Sequence, residues 1–142
     1  MDDLLMLAGE LLENNNYKND NNYEEKKPDG DYNIVIESIA LKESNNTGTE
    51  WFNIVAKVID GEYAEEKFYI SLFLTEKTIK TTLAKLMKLI DACGFELDLA
   101  MFNDKITIEE GLQNTIGSTL MLNKKTSAKG FINYTFSAEG EE

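Results

Sequence analysis

The residues best suited to chemistry in this chain are large aromatic rings that stand beside lysines between Glu50 and Leu74. Taken at every second position, this stretch gives one purely apolar set of side chains and a second set that mixes rings, ammonium groups and small polar groups. The rings and cations of the second set are Trp51, Lys57, Lys67, Tyr69 and Phe73. Exposed rings stack on nucleic-acid bases, and ammonium groups pair with phosphates. This composition therefore favours a surface that binds a single-stranded nucleic acid.

Two β-strands joined by a turn must position these side chains. Alternation with a period of two residues places each set on its own face of a strand. The apolar set is expected in the core and consists of Phe52, Ile54, Ala56, Val58, Phe68, Ile70, Leu72 and Leu74. In the alternative interpretation the rings are not accessible to a ligand, because Trp51, Tyr69 and Phe73 pack under an N-terminal helix or under residues 95–117.

No set of residues has the types and spacing of a catalytic centre. The chain has no histidine and a single cysteine, Cys93, which excludes a Cys/His zinc site and a disulfide within the chain. The glycines at 30, 48, 61 and 94 are isolated turn residues, and no EF-hand spacing occurs. We therefore expect a binding protein rather than an enzyme, with no catalytic residues, no metal site and no cofactor.

The charge of the chain is strongly negative but unevenly distributed. With 14 lysines, no arginine and 26 acidic residues, the net charge is −12, which argues against a nucleic-acid ligand. Residues 118–136 are an exception, because they contain three lysines and no acid. These lysines, predicted to line the rim of a binding groove, are Lys124, Lys125 and Lys129. For the lysines of a predicted helix, Lys77, Lys80, Lys85 and Lys88, a solvated face is the favoured interpretation.

The two ends of the chain are predicted to lie outside the folded domain. Residues 1–27 are interpreted as a short amphipathic helix and a flexible Asn-rich linker, and residues 137–142 as an acidic tail. A helix of about 12 residues is marginal by itself, so it must dock on this domain, on a second copy or on another protein. The side chains predicted to make that contact are Leu4, Leu7 and Leu11. No apolar run approaches the length of a membrane span.

The order of the predicted elements within residues 28–136 indicates the fold class. Strands are predicted at 32–42, twice within 50–74, at 118–125 and at 131–136, with a helix at 75–93 and a short one at 107–114. Thr75 is expected to cap the first helix and Gly94 to end it, and a phase slip near Ser38 predicts a β-bulge. A long bent first strand and a helix between strands 3 and 4 are the layout of the OB-fold, a five-stranded Greek-key barrel. A β-sandwich or an SH3-like barrel with an added helix is the alternative.

Several short segments resemble a family of small phage proteins. They are Pro28-Asp29-Gly30-Asp31-Tyr32, Ile36-Glu37-Ser38, Leu41-Lys42-Glu43-Ser44, Val58-Ile59-Asp60-Gly61-Glu62-Tyr63 and Phe73-Leu74-Thr75-Glu76-Lys77. The family is found among phage recombination and replication genes and is interpreted as OB-fold proteins that bind single-stranded DNA, often under the description of a domain of unknown function. The resemblance implies a protein of the cytoplasm of an infected bacterium, with single-stranded DNA and phage recombination or replication proteins as partners.

Two functions follow from these patterns. The first is a sequence-tolerant single-stranded-DNA-binding protein that supports phage replication or recombination. The alternative is a protein–protein module whose acidic surface mimics nucleic acid and inhibits or docks on a basic partner. Salt separates the two, because neutralising several phosphates makes DNA affinity fall steeply as the salt concentration rises.

Overall fold

The computed structural model describes residues 27–138, which form an antiparallel sheet of five strands with two α-helices. The strands are β1 (Gly30–Glu43), β2 (Glu50–Val58), β3 (Lys67–Phe73), β4 (Thr119–Thr126) and β5 (Ile132–Ser137). The helices are α1 (Ile79–Ala92) and α2 (Lys105–Leu112), with 3-10 turns at Leu99–Asn103 and Gln113–Thr115. The described protein is therefore mostly β, as predicted. The predicted N-terminal helix, with Leu4, Leu7 and Leu11, lies outside the described residues.

A bulge in β1 bends this strand around the core. The register of β1 against β2 shifts between Ile36 and Ser38, which confirms the predicted phase slip. A bulge inserts one extra residue and bends its strand. Ile34 and Ile36 before the bulge and Ile39 after it are consequently all buried, although a regular alternation would not place all three on one face.

The sheet is open, with β3 and β5 at its edges. Its strand order is β3-β2-β1-β4-β5, so β1 pairs with β2 on one side and with β4 on the other. The two edges approach each other through side chains, since the rings of Phe68 on β3 and Tyr134 on β5 lie 5.6 Å apart between centroids. No ladder joins β3 to β5 in this order. The predicted OB-fold-like barrel is therefore not confirmed.

Helix α1 contacts both edge strands. Thr82 Oγ1 donates a hydrogen bond of 2.6 Å to the carbonyl oxygen of Phe73 on β3, and Lys85 Nζ donates one of 2.5 Å to Asn133 Oδ1 on β5. The apolar stripe of the helix, with Leu86, Leu89 and Ile90, is buried against the sheet.

Thr75 makes the predicted capping bonds one turn before the first residue of α1, and the predicted end of the helix is confirmed. Thr78 N–H donates to Thr75 Oγ1 at 3.2 Å and Ile79 N–H donates to the carbonyl oxygen of Thr75 at 2.9 Å, whereas the side chain of Thr78, directly before the helix, makes no capping bond. Gly94 follows the helix with a φ of 85°, a left-handed conformation that glycine adopts without strain. The N–H of Phe95 returns to the carbonyl of Ile90, which completes the capping arrangement.

Helix α2 covers the part of β1 that β4 leaves unpaired. Its N-cap is Asp104, whose side chain accepts from Thr107 N–H at 2.8 Å, so the helix begins two residues before the predicted position. Glu109 Oε2 accepts from Leu41 N–H at 2.6 Å, and Gln113 Nε2 donates to Ile39 O at 2.8 Å. These side chains satisfy backbone groups of β1 that would otherwise lack partners.

Candidate nucleic-acid interface

The outer face of β3 presents two exposed aromatic rings. Tyr69 is 64% exposed and Phe73 is 37% exposed, with the exposed Ser71 between them. Their neighbours Phe68, Ile70 and Leu72 are buried, so the predicted alternation of β3 is confirmed. Four residues along a strand span about 13 Å, which is too far for both rings to hold one base. Each ring can therefore stack on a different base of an extended single-stranded nucleic acid.

Trp51 is the exception to the predicted exposed face. The prediction that its ring is exposed is wrong, because only 6% of the residue is accessible. Trp51 lies directly opposite Phe73 in the β2–β3 ladder, and the two ring centroids are 5.7 Å apart. Trp51 therefore supports the Phe73 ring from beside and offers no open face to a base.

The two predicted lysines of this face stand at its other end and are already paired with carboxylates. Lys57 and Lys67 face each other across β2 and β3. Lys67 Nζ lies 2.6 Å from Glu37, the residue at the bulge, and Lys57 Nζ lies 3.5 Å from Glu65. The hydrogen bond to Glu37 raises the pKa of Lys67 above its usual value. Because such exposed ion pairs are weak, a phosphate can replace the carboxylate as partner of either lysine.

The β4–β5 hairpin differs most from its prediction. Lys124 does not line a rim, since its side chain faces inward, is 4% exposed and donates to the carbonyl oxygen of Lys27. Its Nζ also lies 3.5 Å from Asp29. Asp29 accepts hydrogen bonds from the N–H and the hydroxyl of Thr126, and these bonds lower the pKa of its carboxyl. The β4–β5 hairpin has no acidic residue of its own, but Asp29, which precedes β1, places a carboxylate beside its Lys124.

The remaining lysines of the hairpin, Lys125 and Lys129, are exposed. On the outer face beside Lys125, the Asn123 side chain donates to Asp31 at 2.8 Å. Phe131, which directly follows the turn, is 72% exposed. Phe131 is not among the site residues predicted from the sequence, although an apolar ring next to a Lys-Gly turn is the signal that could have identified it.

A groove between β3 and α1 contains Lys77 and Lys85, two lysines that were predicted to lie on a solvated helix face. It has a volume of about 210 Å³ and is lined by Ser71, Leu72, Phe73, Lys77, Thr78, Thr81, Thr82 and Lys85. The positions 77, 81 and 85 recur at intervals of four; Thr81 and Lys85 share one face of α1, and Lys77 lies in the turn just before the helix. That spacing was visible in the sequence, but the position of α1 beside the Phe73 end of β3 was not. Burial lowers the pKa of Lys85, whereas Lys77 is exposed.

Other kinds of site find no support among residues 27–138. No group of three or more Cys, Asp or Glu side chains in this part of the chain could hold a metal ion. Cys93 is half-buried, and burial raises the pKa of its thiol, which keeps the thiol protonated at neutral pH. No helix in this part is long and apolar enough to cross a membrane.

Comparison with known proteins places the chain in a family. A family model described as "Protein of unknown function (DUF669)" matches residues 12–128. The chain belongs to this family. The DUF669 match covers all elements of the sheet except β5, together with both helices. Among curated proteins, none matches the chain.

Proposed function

We propose that this DUF669 protein binds single-stranded DNA without sequence preference, on the outer face of β2 and β3. The observation that carries the proposal is the pair of exposed rings on β3, Tyr69 and Phe73, beside a lysine-lined groove. Stacking tolerates any sequence, because every base has a π-face. Lys77 is an exposed cation that lines the same groove as Phe73 and is available to a phosphate, and Lys57 and Lys67 serve the Tyr69 end. A role in phage replication or recombination rests on the resemblance of the sequence motifs.

We also propose that the open sheet is a partly open OB-type barrel. Three observations support it: the bent β1 pairs with both β2 and β4, the edge strands touch through Phe68 and Tyr134, and α1 contacts both edges. OB-folds bind oligonucleotides on the face of strands 2 and 3, between the loops that join strands 1–2 and 4–5. The exposed Phe131, next to the β4–β5 turn, adds a ring to that second loop.

The test is fluorescence anisotropy of the full chain with labelled oligo-dT, at low and at physiological salt. Tyr69→Ala and Phe73→Ala should each weaken binding by about 1–3 kcal/mol, whereas Tyr69→Phe keeps the ring and should bind like the wild type. Leu99→Ala is the matched control, because Leu99 is an exposed apolar residue in a 3-10 turn that belongs to neither β2 nor β3. Absence of binding at low salt would contradict the proposal, and so would equal losses in Tyr69→Ala and Leu99→Ala.

The second candidate function is an acidic module that docks on a basic partner. It is favoured by the carboxylates that are paired with the lysines of the proposed face, Glu37 and Glu65. In that case oligo-dT should fail to bind even at low salt, while Lys57→Ala and Lys67→Ala, which free the carboxylates, should strengthen the binding of polylysine.

A further inference from the structure

A second concave surface lies away from the proposed DNA face, where the end of α1 meets α2. It is a cavity of about 580 Å³. Its lining consists of Ile90, Phe95, Glu96, Asp98, Ala100, Met101, Thr107, Glu110, Gly111, Asn114 and Thr115. None of these residues belongs to β2, to β3 or to the groove beside Phe73.

The shape of the cavity depends on a close contact between α2 and the preceding 3-10 turn. Gly111 is a helical residue, and a Cβ at this position would lie 2.8 Å from the side chain of Met101. The absence of a Cβ therefore allows Met101 to lie directly against α2 and form an apolar wall. Ile90 and Phe95 supply further apolar lining.

The rim of the cavity is acidic. Three of its lining residues are carboxylates, Glu96, Asp98 and Glu110, and none is a lysine. The wider segment 95–117 contains five acids and a single lysine. That lysine, Lys105, is held 2.5 Å from Glu50 on β2, so it does not neutralise the rim.

Exposed apolar side chains line the cavity or are adjacent in sequence to residues that line it. Phe95 is 43% exposed, and Leu97 and Leu99 in the same loop are 48% and 83% exposed. Ile106, at the start of α2, is 52% exposed. Clustered apolar exposure bordered by charges is typical of a protein interaction site.

We propose that this cavity docks a short segment of a partner protein in which a large apolar side chain is flanked by lysines or arginines. The apolar wall accepts the anchor, and the carboxylates at the rim are complementary to the flanking cations. The chain's own residues 1–26 have the leucines for such a contact but the wrong charge, since they carry seven acids and two lysines. The proposal does not depend on whether the outer face of β2 and β3 binds DNA.

The experiment uses the full chain and three fluorescein-labelled peptides. The first has a Leu-Phe-Leu centre flanked by two lysines on each side, the second has glutamates in place of the lysines, and the third has serines in place of the centre. We expect only the first peptide to bind. In a two-dimensional NMR titration it should shift the amide signals of Phe95, Thr107 and Asn114 rather than those of Tyr69 and Phe73.

Charge reversal at the rim provides the matched comparison. Glu96→Lys/Glu110→Lys should weaken binding of the first peptide about tenfold or more, because two attractions become repulsions. Glu62→Lys/Glu76→Lys changes the net charge equally, at exposed positions outside the cavity, and should leave the affinity within about twofold of the wild type. Failure of the first peptide to bind, equal binding of the serine-centred peptide, or equal losses in the two variants would each overturn the proposal. Oligo-dT binding measured on the same samples reports separately on the DNA proposal.

Discussion

Trp51 is a buried ring that packs beside an exposed one, Phe73, and so holds it in place. It packs against Phe73 and is almost inaccessible, so its main role is in stability. Trp51→Ala should lower the free energy of unfolding by about 3–5 kcal/mol, the usual cost of deleting a buried aromatic side chain. Tyr69→Ala, on the same face but exposed, should change it by about 0.5 kcal/mol or less. Urea denaturation of the two variants checks this, and a Trp51→Ala protein as stable as the wild type would show that the ring is free to reach a ligand.

Asp29 makes the stability of the domain depend on pH in the acid range. Its hydrogen bonds from Thr126, and more weakly the charge of Lys124, lower the pKa of its carboxyl below the ordinary value of 3.8. The folded state therefore binds the proton less readily than the unfolded state. The stability that Asp29 contributes is fully present at pH values above the ordinary pKa of 3.8. It is lost as the pH falls through the lower pKa that Asp29 has in the folded state.

Asp29→Asn should remove this contribution without adding a titrating group. We expect the wild type to be more stable than the variant at neutral pH and to lose stability more steeply than the variant below about pH 4. Urea denaturation over a series of pH values measures both curves. A constant difference between them, down to the most acidic point, would contradict the assignment.

At the scale of elements, two parts of the fold are candidates to supply the lysines that bind DNA phosphates. They are the start of α1 and the β4–β5 hairpin. Lys124 is excluded because it is buried against Lys27 and Asp29, and its removal would disturb the fold. Lys125 and Lys129 remain exposed, but Asp29 and Asp31 contact the same hairpin. Lys77, in the turn that leads into α1, instead borders Phe73 in a groove with threonine hydroxyls. These surroundings favour the start of α1 as the source of the phosphate contacts.

The salt dependence of oligo-dT binding should separate the two elements. Lys77→Ala should flatten the slope of log affinity against log salt by about 0.7, the value for one lost contact with a single strand. Lys88→Ala is the control, because Lys88 is an exposed lysine of α1 that borders β5 rather than Phe73. If Lys125→Ala/Lys129→Ala flattens the slope while Lys77→Ala does not, the strand of DNA follows the hairpin instead.

At the scale of the whole molecule, the chain combines a folded domain with an acidic, leucine-containing start. Lys27 is buried, with its ammonium 4.6 Å from the centroid of the Phe68 ring, so the domain includes at least this residue. The preceding residues 1–26 lie outside the described part. It stays a prediction from the sequence that Leu4, Leu7 and Leu11 dock on a partner or on a second copy.

Replacing these three leucines with serine tests that prediction. A short amphipathic helix buries its apolar stripe only against another surface. We expect light scattering of the wild type to show self-association, and the triple variant to be monomeric with unchanged stability. An unchanged oligomeric state together with lost stability would show that the leucines pack on their own domain.

The sequence by itself determined the strands β2 and β3, the end of α1 and the bulge in β1. The alternation in β2 and β3 assigned the exposed Tyr69 correctly, and also the buried set apart from Leu74, which is half-buried and follows the end of β3, because a strand has only two faces. Gly94 marked the end of α1 because its left-handed backbone suits glycine. The slip near Ser38 marked the bulge. Each of these signals acts over a few residues, so it can be read without knowledge of the rest of the chain.

Only the tertiary structure decided what covers each face and which charges meet. Trp51 is on the predicted face but is buried there, and the acid that pairs with Lys124 comes from 95 positions earlier in the chain, at Asp29. The lysine-lined groove exists because α1 lies beside the end of β3. Such contacts depend on how a twisted sheet curls and on which elements reach its edges. No local pattern encodes them, because they are made between residues that are far apart in the sequence.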